Sequence, residues 1–62
     1  MIANFYKTQY GNYRNSVFLV TRNIEHIPSV KTVVIYNGQK FCVDKLEFDL
    51  DNCEYNIYMA RL

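Results

Sequence analysis

The feature that most constrains this chain is a change of hydrophobic parity between two consecutive hairpin patterns in residues 31–59. Between the two turns, the apolar side chains first lie at odd positions, at Phe41 and Val43, and then at even positions, at Leu46, Phe48 and Leu50. A slip of one residue moves every later side chain of a strand to the opposite face of the sheet. We therefore predict a β-bulge or sharp bend at Asp44-Lys45, where one extra residue turns the strand through a corner.

The first hairpin is predicted from Asn37-Gly38, which lies between two alternating apolar runs. A type I′ turn needs positive φ at both central residues, and Asn and Gly adopt it at little cost. A two-residue loop fixes the register, so that Tyr36 lies opposite Gln39 at the turn. At the far end the same register places Lys31 opposite Asp44, which predicts a pair of opposite charges.

The second hairpin is predicted from the strict alternation of apolar and acidic residues over 46–50, with Asp51-Asn52 as the loop. This register places Cys53 on the apolar face. It also places Asp49 opposite Glu54, and two like charges in this position are tolerated only in solvent. A longer loop of the same parity would leave the faces unchanged.

The first half of the chain gives weaker patterns. Residues 2–9 alternate poorly, which favours an edge strand, whereas residues 16–22 contain the apolar run typical of a central strand covered on both faces. Residues 10–15 are expected to form a turn. Asn23 is a suitable cap for one short helical turn ended by Pro28, and an extended connection is the alternative.

These elements predict a single all-β domain over residues 1–62, with five or six short antiparallel strands and at most one short helical turn near residues 23–28. The parity change favours a small open barrel or a strongly curled sheet. The length and the order of the hairpins look similar to an SH3-like barrel, and a five-stranded OB-like roll is the alternative. The likeness concerns architecture and carries no function with it.

The charges are unevenly distributed along the chain. Residues 1–24 contain three cations and no acid, whereas residues 42–62 contain five acids and two cations. The net charge of +1 argues neither for nor against a polyanionic partner. The simplest interpretation is two solvated faces. The functional interpretations are an acidic patch that meets a basic protein, or a basic patch that meets nucleic acid.

No catalytic or metal-binding pattern is present. The single histidine, His26, has no partner in sequence, and Cys42 and Cys53 lack the paired spacing of a zinc site. We expect both cysteines to be small buried thiols, with a disulfide as the alternative. The sequence predicts no enzyme, no cofactor and no metal. Neither a signal peptide nor an apolar segment of about 20 residues is recognisable, so a cytoplasmic protein without membrane contact is expected.

The most suggestive surface is the stretch of residues 6–14, which contains three tyrosines, two cations and no acid. Tyrosine and arginine anchor protein interfaces, and rings interleaved with cations also suit single-stranded nucleic acid. The predicted partner-binding residues are Lys7, Tyr10, Tyr13 and Arg14. The alternative site is an acidic face made of Glu47, Asp49 and Glu54.

The function predicted from these features is a non-enzymatic binding module that contacts a protein partner. Frequent Asn, Tyr and Ile suggest AT-rich codons, which indicate an AT-rich bacterium, a virus or a mobile element as the source. A regulator or inhibitor from a virus or mobile element is the expected form of such a module. One alternative is a small nucleic-acid-binding β-barrel that uses the loop of residues 6–14. The other is a homo-oligomeric structural protein assembled through edge strands such as 2–9 or 53–60.

Overall fold

A computed structural model of the chain describes residues 1–9 and 12–62. These residues form one sheet and no helix, which confirms the all-β prediction. The five strands are β1 (Ile2–Gln9), β2 (Asn12–Asn23), β3 (Val33–Tyr36), β4 (Gln39–Asp49) and β5 (Glu54–Arg61). Their order across the sheet is β2-β1-β5-β4-β3, and the sheet is not closed into a barrel.

The sheet is mixed, so the expectation of a wholly antiparallel sheet is wrong at one pair of strands. β1 runs antiparallel to β2 but parallel to β5. The parallel pairing brings the buried Phe5 beside the buried Ile57. The apolar face of β5 is thereby extended across β1, which gives a short chain a wider core.

The edge and central strands of the N-terminal half are the reverse of those predicted. β1 and β5 have neighbours on both sides, whereas β2 and β3 form the two edges. In β2, the ladder to β1 shifts between Val20 and Phe18, which leaves Leu19 as an extra residue. Leu19 and Val20 both pack against the core, while Val17 is 59% exposed. The apolar run of β2 therefore follows from a bulge and not from cover on both faces.

The predicted bulge in β4 is confirmed. Val43 lies opposite Met59 and Lys45 lies opposite Tyr58, so Asp44 is the extra residue of the strand. On the two sides of it, the apolar runs of β4 both turn toward the core. The buried core cluster consists of Ala3, Phe5, Phe41, Val43, Ile57 and Met59.

The first hairpin has the predicted turn, with φ of 50° at Asn37 and 74° at Gly38. Its register matches the prediction from Tyr36 opposite Gln39 to Val33 opposite Cys42. Cys42 is partly buried, and both cysteines are free thiols.

Beyond β3 the hairpin ladder becomes irregular at Lys31, which has a φ of 78°. The Lys31 amide donates to the Val43 carbonyl at 2.7 Å, and the Val43 amide donates to the Thr32 carbonyl at 2.9 Å. Two residues thus oppose one, as in a bulge. The predicted Lys31–Asp44 ion pair is not formed, because this bulge places Lys31 opposite Val43. The Asp44 carboxylate instead accepts a hydrogen bond from the Tyr13 hydroxyl at 2.8 Å.

The second hairpin has the predicted register, with Asp49 opposite Glu54, but its loop covers residues 50–53. The Asp49 carboxylate accepts hydrogen bonds from the Asp51 amide at 3.0 Å and from the Asn52 side chain at 2.9 Å, which holds the longer turn. The prediction that Cys53 lies on the apolar face is wrong. Cys53 is exposed in this loop with a φ of 54°.

Residues 24–32 contain no helical turn, so the predicted helical turn is wrong. They form an irregular connection with bends at residues 25–26 and a hydrogen-bonded turn at 30–31. The connection begins where the Ile24 amide donates to the Met1 carbonyl at 2.8 Å. The side chains of Ile24 and Ile27 pack against the core cluster. The connection therefore covers one part of the apolar inner face, which the sheet alone leaves open.

Candidate functional site

The outer face of the sheet, opposite the core, carries a row of aromatic side chains. Phe18 of β2, Tyr6 of β1 and Tyr58 of β5 are cross-strand neighbours, and Lys45 of β4 continues the row. The Tyr6 and Tyr58 rings are stacked with centroids 5.1 Å apart, and the Phe18 ring meets Tyr6 edge-on at 5.7 Å. Both are favourable aromatic geometries.

Tyr13 joins this row through an irregularity of β2. Five steps along β2, from Asn12 to Val17, span only two steps along β1, from Gln9 to Lys7, so residues 13–16 loop away from β1. The Ser16 hydroxyl donates to the Tyr13 carbonyl at 2.6 Å and stabilises the excursion. The Tyr13 ring then meets Tyr58 edge-on, with centroids 5.6 Å apart. We call Tyr6, Tyr13, Phe18 and Tyr58 the aromatic cluster.

The bulge of β4 also serves the aromatic cluster. Asp44 accepts the Tyr13 hydroxyl hydrogen bond, and the next residue, Lys45, places its Nζ 4.6 Å from the centroid of the Tyr13 ring and 5.7 Å from that of Tyr58. A cation over an exposed ring contributes about 0.5–1 kcal/mol. The extra residue Asp44 thus keeps the apolar side chains of β4 on the core face on both sides of the bulge. It also brings two consecutive side chains, Asp44 and Lys45, into contact with Tyr13.

Glu47 connects Lys45 to Tyr58. Its carboxylate lies 3.3 Å from the Lys45 Nζ and accepts a hydrogen bond from the Tyr58 hydroxyl at 3.0 Å. Burial, and then the hydrogen bond to Glu47, raise the pKa of Tyr58 to about 12. The hydrogen bond from Tyr58 lowers the pKa of Glu47 against the opposing effect of burial.

These shifts predict a loss of stability at high pH. The pKa of Tyr58 lies above its ordinary value of 10.0, so its contribution to the free energy of unfolding is complete below pH 10 and is lost as pH rises through about 12. The contribution of Glu47, whose pKa is lowered, is instead lost as pH falls. We expect the free energy of unfolding, measured by urea denaturation, to fall less steeply with rising alkaline pH in Tyr58→Phe than in the wild type. Equal alkaline slopes in the two proteins would contradict the assignment.

Beside the aromatic cluster the outer face is polar and its hydrogen bonds are satisfied internally. The Asn4 amide donates to Glu54 at 2.9 Å and to Asn56 at 3.1 Å, and it accepts from the Thr21 hydroxyl at 2.6 Å. This row links four functional groups from three strands. It lies next to the aromatic cluster on the same face of the sheet.

The structure separates the predicted partner-binding residues. Tyr13 lies in the aromatic cluster, and Arg14 is exposed beside it. Lys7 lies opposite Val17 and the buried Met59, so it points to the other face of the sheet. Tyr10 lies outside the described residues.

The predicted acidic residues share the outer face but have internal roles. Glu47 binds Tyr58 and Lys45, Glu54 accepts from Asn4, and Asp49 holds the loop of the second hairpin. Hydrogen bonds from Asn52, first from its side chain, lower the pKa of Asp49. The three carboxylates thus form one side of the outer face beside the aromatic cluster.

Sequence reasoning missed Lys45 and Phe18 and placed Tyr6 only within a general aromatic stretch. Tyr6 follows buried Phe5, and Tyr58 follows buried Ile57, so each tyrosine points away from the core in its own strand. That alternation was a usable signal. The stacking of the two rings was not foreseeable, because it needs the parallel pairing.

Among residues 1–9 and 12–62 no three side chains of His, Cys, Asp or Glu are grouped to hold a metal ion. No helix in this part of the chain has the length and apolar character needed to cross a membrane. Comparisons with known protein families, curated proteins and solved structures found no match to this chain.

Proposed function

We propose that the protein is a non-enzymatic binding module that contacts a partner protein through the aromatic cluster and Lys45. The observation that supports this most is the outer face itself. It carries four clustered rings, and Phe18, at the end of the row, is 55% exposed. Rigid aromatic side chains supply contact area at a low entropy cost, which is why they dominate protein interfaces.

The internal hydrogen bonds of the cluster support the same proposal. Tyr13 and Tyr58 are held by Asp44 and Glu47, so their rings are oriented before any partner arrives. Preorganisation reduces the side-chain ordering that binding would otherwise require.

The charges beside the aromatic cluster favour a protein over a nucleic acid. Asp44, Glu47, Asp49 and Glu54 lie on or next to the outer face, and phosphates would be repelled by them. A partner that presents a cation or an amide to these carboxylates and an apolar group to Phe18 fits better. A regulator or inhibitor of viral or mobile-element origin would use this outer face to bind its target protein.

The test is capture of a partner from a host lysate, followed by calorimetry with the purified partner. Phe18→Ala is expected to weaken binding by about tenfold or more, because buried aromatic anchors contribute about 2 kcal/mol. Val33→Ala is the matched control, since Val33 is also an apolar edge residue, is 52% exposed and lies on β3.

The result that contradicts the proposal is wild-type affinity in both Phe18→Ala and Lys45→Ala. Retention of single-stranded DNA in place of a protein, with an affinity that falls steeply with salt, would favour the nucleic-acid alternative. In that case Arg14→Ala would reduce the salt dependence of DNA binding, whereas Phe18→Ala would leave it unchanged.

A further inference from the structure

The two edges of the sheet differ in how well they are protected against pairing. β3 has four residues, and the bulge at Lys31 precedes it. β2 has twelve residues. It carries the bulge at Leu19 and the excursion of residues 13–16, but its segment 15–21 contains neither a charge nor a proline. Exposed strands normally carry such protective features, because unpaired backbone amides and carbonyls invite another strand. With Val17 and Phe18 exposed as well, β2 is the edge open to addition of a strand.

The charges at the two ends of β2 indicate what kind of strand would fit. Arg14 and Arg22 are exposed there, and no acid occurs in residues 1–24. Within the described residues neither arginine has a carboxylate at ion-pair distance, since the ion pair found there joins Lys45 to Glu47. A strand with carboxylates near both ends and a neutral middle is complementary to this edge.

A cleft beside β2 supplies a socket for apolar side chains. Its volume is about 180 Å³, and it lies on the inner face between the two edges of the sheet. Val20 and Arg22 line it from β2, and Val34 and Tyr36 line it from β3. The side chains of an added strand would alternate between this cleft and the outer face at Phe18. Pockets for alternate side chains are how added strands are recognised.

We infer that the β2 edge binds an extended segment of a partner protein as a sixth strand, with apolar residues at alternate positions and acids at both ends. This inference rests on the proposed protein-binding function and specifies the partner segment. A second copy of the chain is a poorer occupant, because antiparallel pairing centred on Phe18 places Arg14 of one copy opposite Arg22 of the other.

The test uses a synthetic peptide, acetyl-Glu-Asp-Val-Thr-Val-Thr-Val-Thr-Asp-Glu-amide, and amide-resolved NMR of the whole protein. We expect saturable shift changes and slower hydrogen exchange in segment 14–22. In β3 we expect shift changes at the cleft residues Val34 and Tyr36, without slower exchange. A peptide of the same sequence with alternate backbone amides methylated should not bind, because it cannot form the ladder. Sedimentation of the protein alone should give a monomer mass at all concentrations.

Charge reversal provides the matched control. In Arg14→Glu/Arg22→Glu the acidic peptide should bind about tenfold more weakly, and a lysine version of the peptide should bind better than it does to the wild type. Lys31→Glu/Lys40→Glu, which reverses two charges near β3, should leave the acidic peptide unaffected.

Three results would overturn the inference. They are shift changes confined to β3, equal binding of the methylated peptide, and a concentration-dependent dimer with exchange protection in β2. Each of them leaves the proposed function standing if Phe18→Ala still weakens the captured partner. Loss of that effect, with the peptide still bound at β2, would instead remove the aromatic cluster as the binding site.

Discussion

Deletion of Asp44 is expected to leave the protein unfolded in neutral buffer at room temperature. Asp44 is the extra residue that lets Val43 lie opposite Met59 and Lys45 opposite Tyr58. Without it, either Phe41 and Val43 or the apolar residues after position 45 must point into solvent. Exposing two large apolar side chains costs about 3–6 kcal/mol, comparable with the roughly 3–9 kcal/mol expected for a domain of this size.

The measurement is urea denaturation followed by circular dichroism, with Asp44→Ala as the control. Asp44→Ala keeps the bulge residue and loses the hydrogen bond from Tyr13, so it should cost only about 1 kcal/mol. We expect a cooperative transition for Asp44→Ala and none for the deletion. A deletion variant with a cooperative transition at the wild-type midpoint would show that the parity change does not organise the fold.

Phe41→Ala should destabilise the protein far more than Phe48→Ala, although both residues are phenylalanines of β4. Phe41 is 2% exposed in the core, whereas Phe48 is 50% exposed and packs against Tyr55 at the open end of the sheet. Truncating a buried phenylalanine costs about 3–5 kcal/mol, and a half-exposed one costs a fraction of that. Phe41→Ala is thus expected to be largely unfolded.

Both variants are compared by the midpoints of their urea denaturation curves. If the slope of the unfolding free energy against urea concentration is the same, a difference in midpoint reports a difference in stability. The wild type and Phe48→Ala should both show two-state transitions, with Phe48→Ala shifted modestly. Equal losses at the two positions would mean that the core extends over the whole length of β4. A larger loss of stability in Phe48→Ala than in Phe41→Ala would show that the core lies near Phe48 and not near Phe41.

The two C-terminal hairpins were predictable because their information is local. A turn dipeptide and the alternation beside it fix which residues oppose each other, as Tyr36 and Gln39 do. The bulge at Asp44 was predictable for the same reason, since the apolar residues on its two sides could not otherwise share a face. The second loop is longer than predicted, because the Asp49 carboxylate accepts hydrogen bonds from the Asp51 and Asn52 amides and stabilises a turn of four residues. The position of Cys53 was wrong for this reason, and the Lys31–Asp44 pair was wrong because of the bulge at Lys31.

The arrangement of the N-terminal half was not predictable, because it depends on pairing between the two ends of the chain. Alternation in β1 is compatible with an edge or a central strand, and nothing in it identifies β5 as a parallel neighbour. The apolar run of β2 was read as doubly covered, whereas the bulge at Leu19 turns two consecutive residues inward. Short segments with bulges mislead any rule of strict alternation.

The candidate site was only partly predictable for the same physical reason. Tyr13 was selected because tyrosines and cations are grouped around it in the sequence, and its ring lies in the aromatic cluster. Lys45 and Tyr58 reach it through the bulge and through the β4–β5 register. Lys7 was grouped with Tyr13 because it is close in sequence, but strand alternation sends it to the other face.

The most direct test of the central claim is the pattern of cross-strand nuclear Overhauser effects between β4 and β5. We predict backbone contacts of Val43 with Met59 and of Lys45 with Tyr58, whereas Asp44 has no regular partner on β5. A continuous ladder in which Asp44 itself lies opposite Tyr58, with Phe41 and Leu46 on different faces, would contradict it.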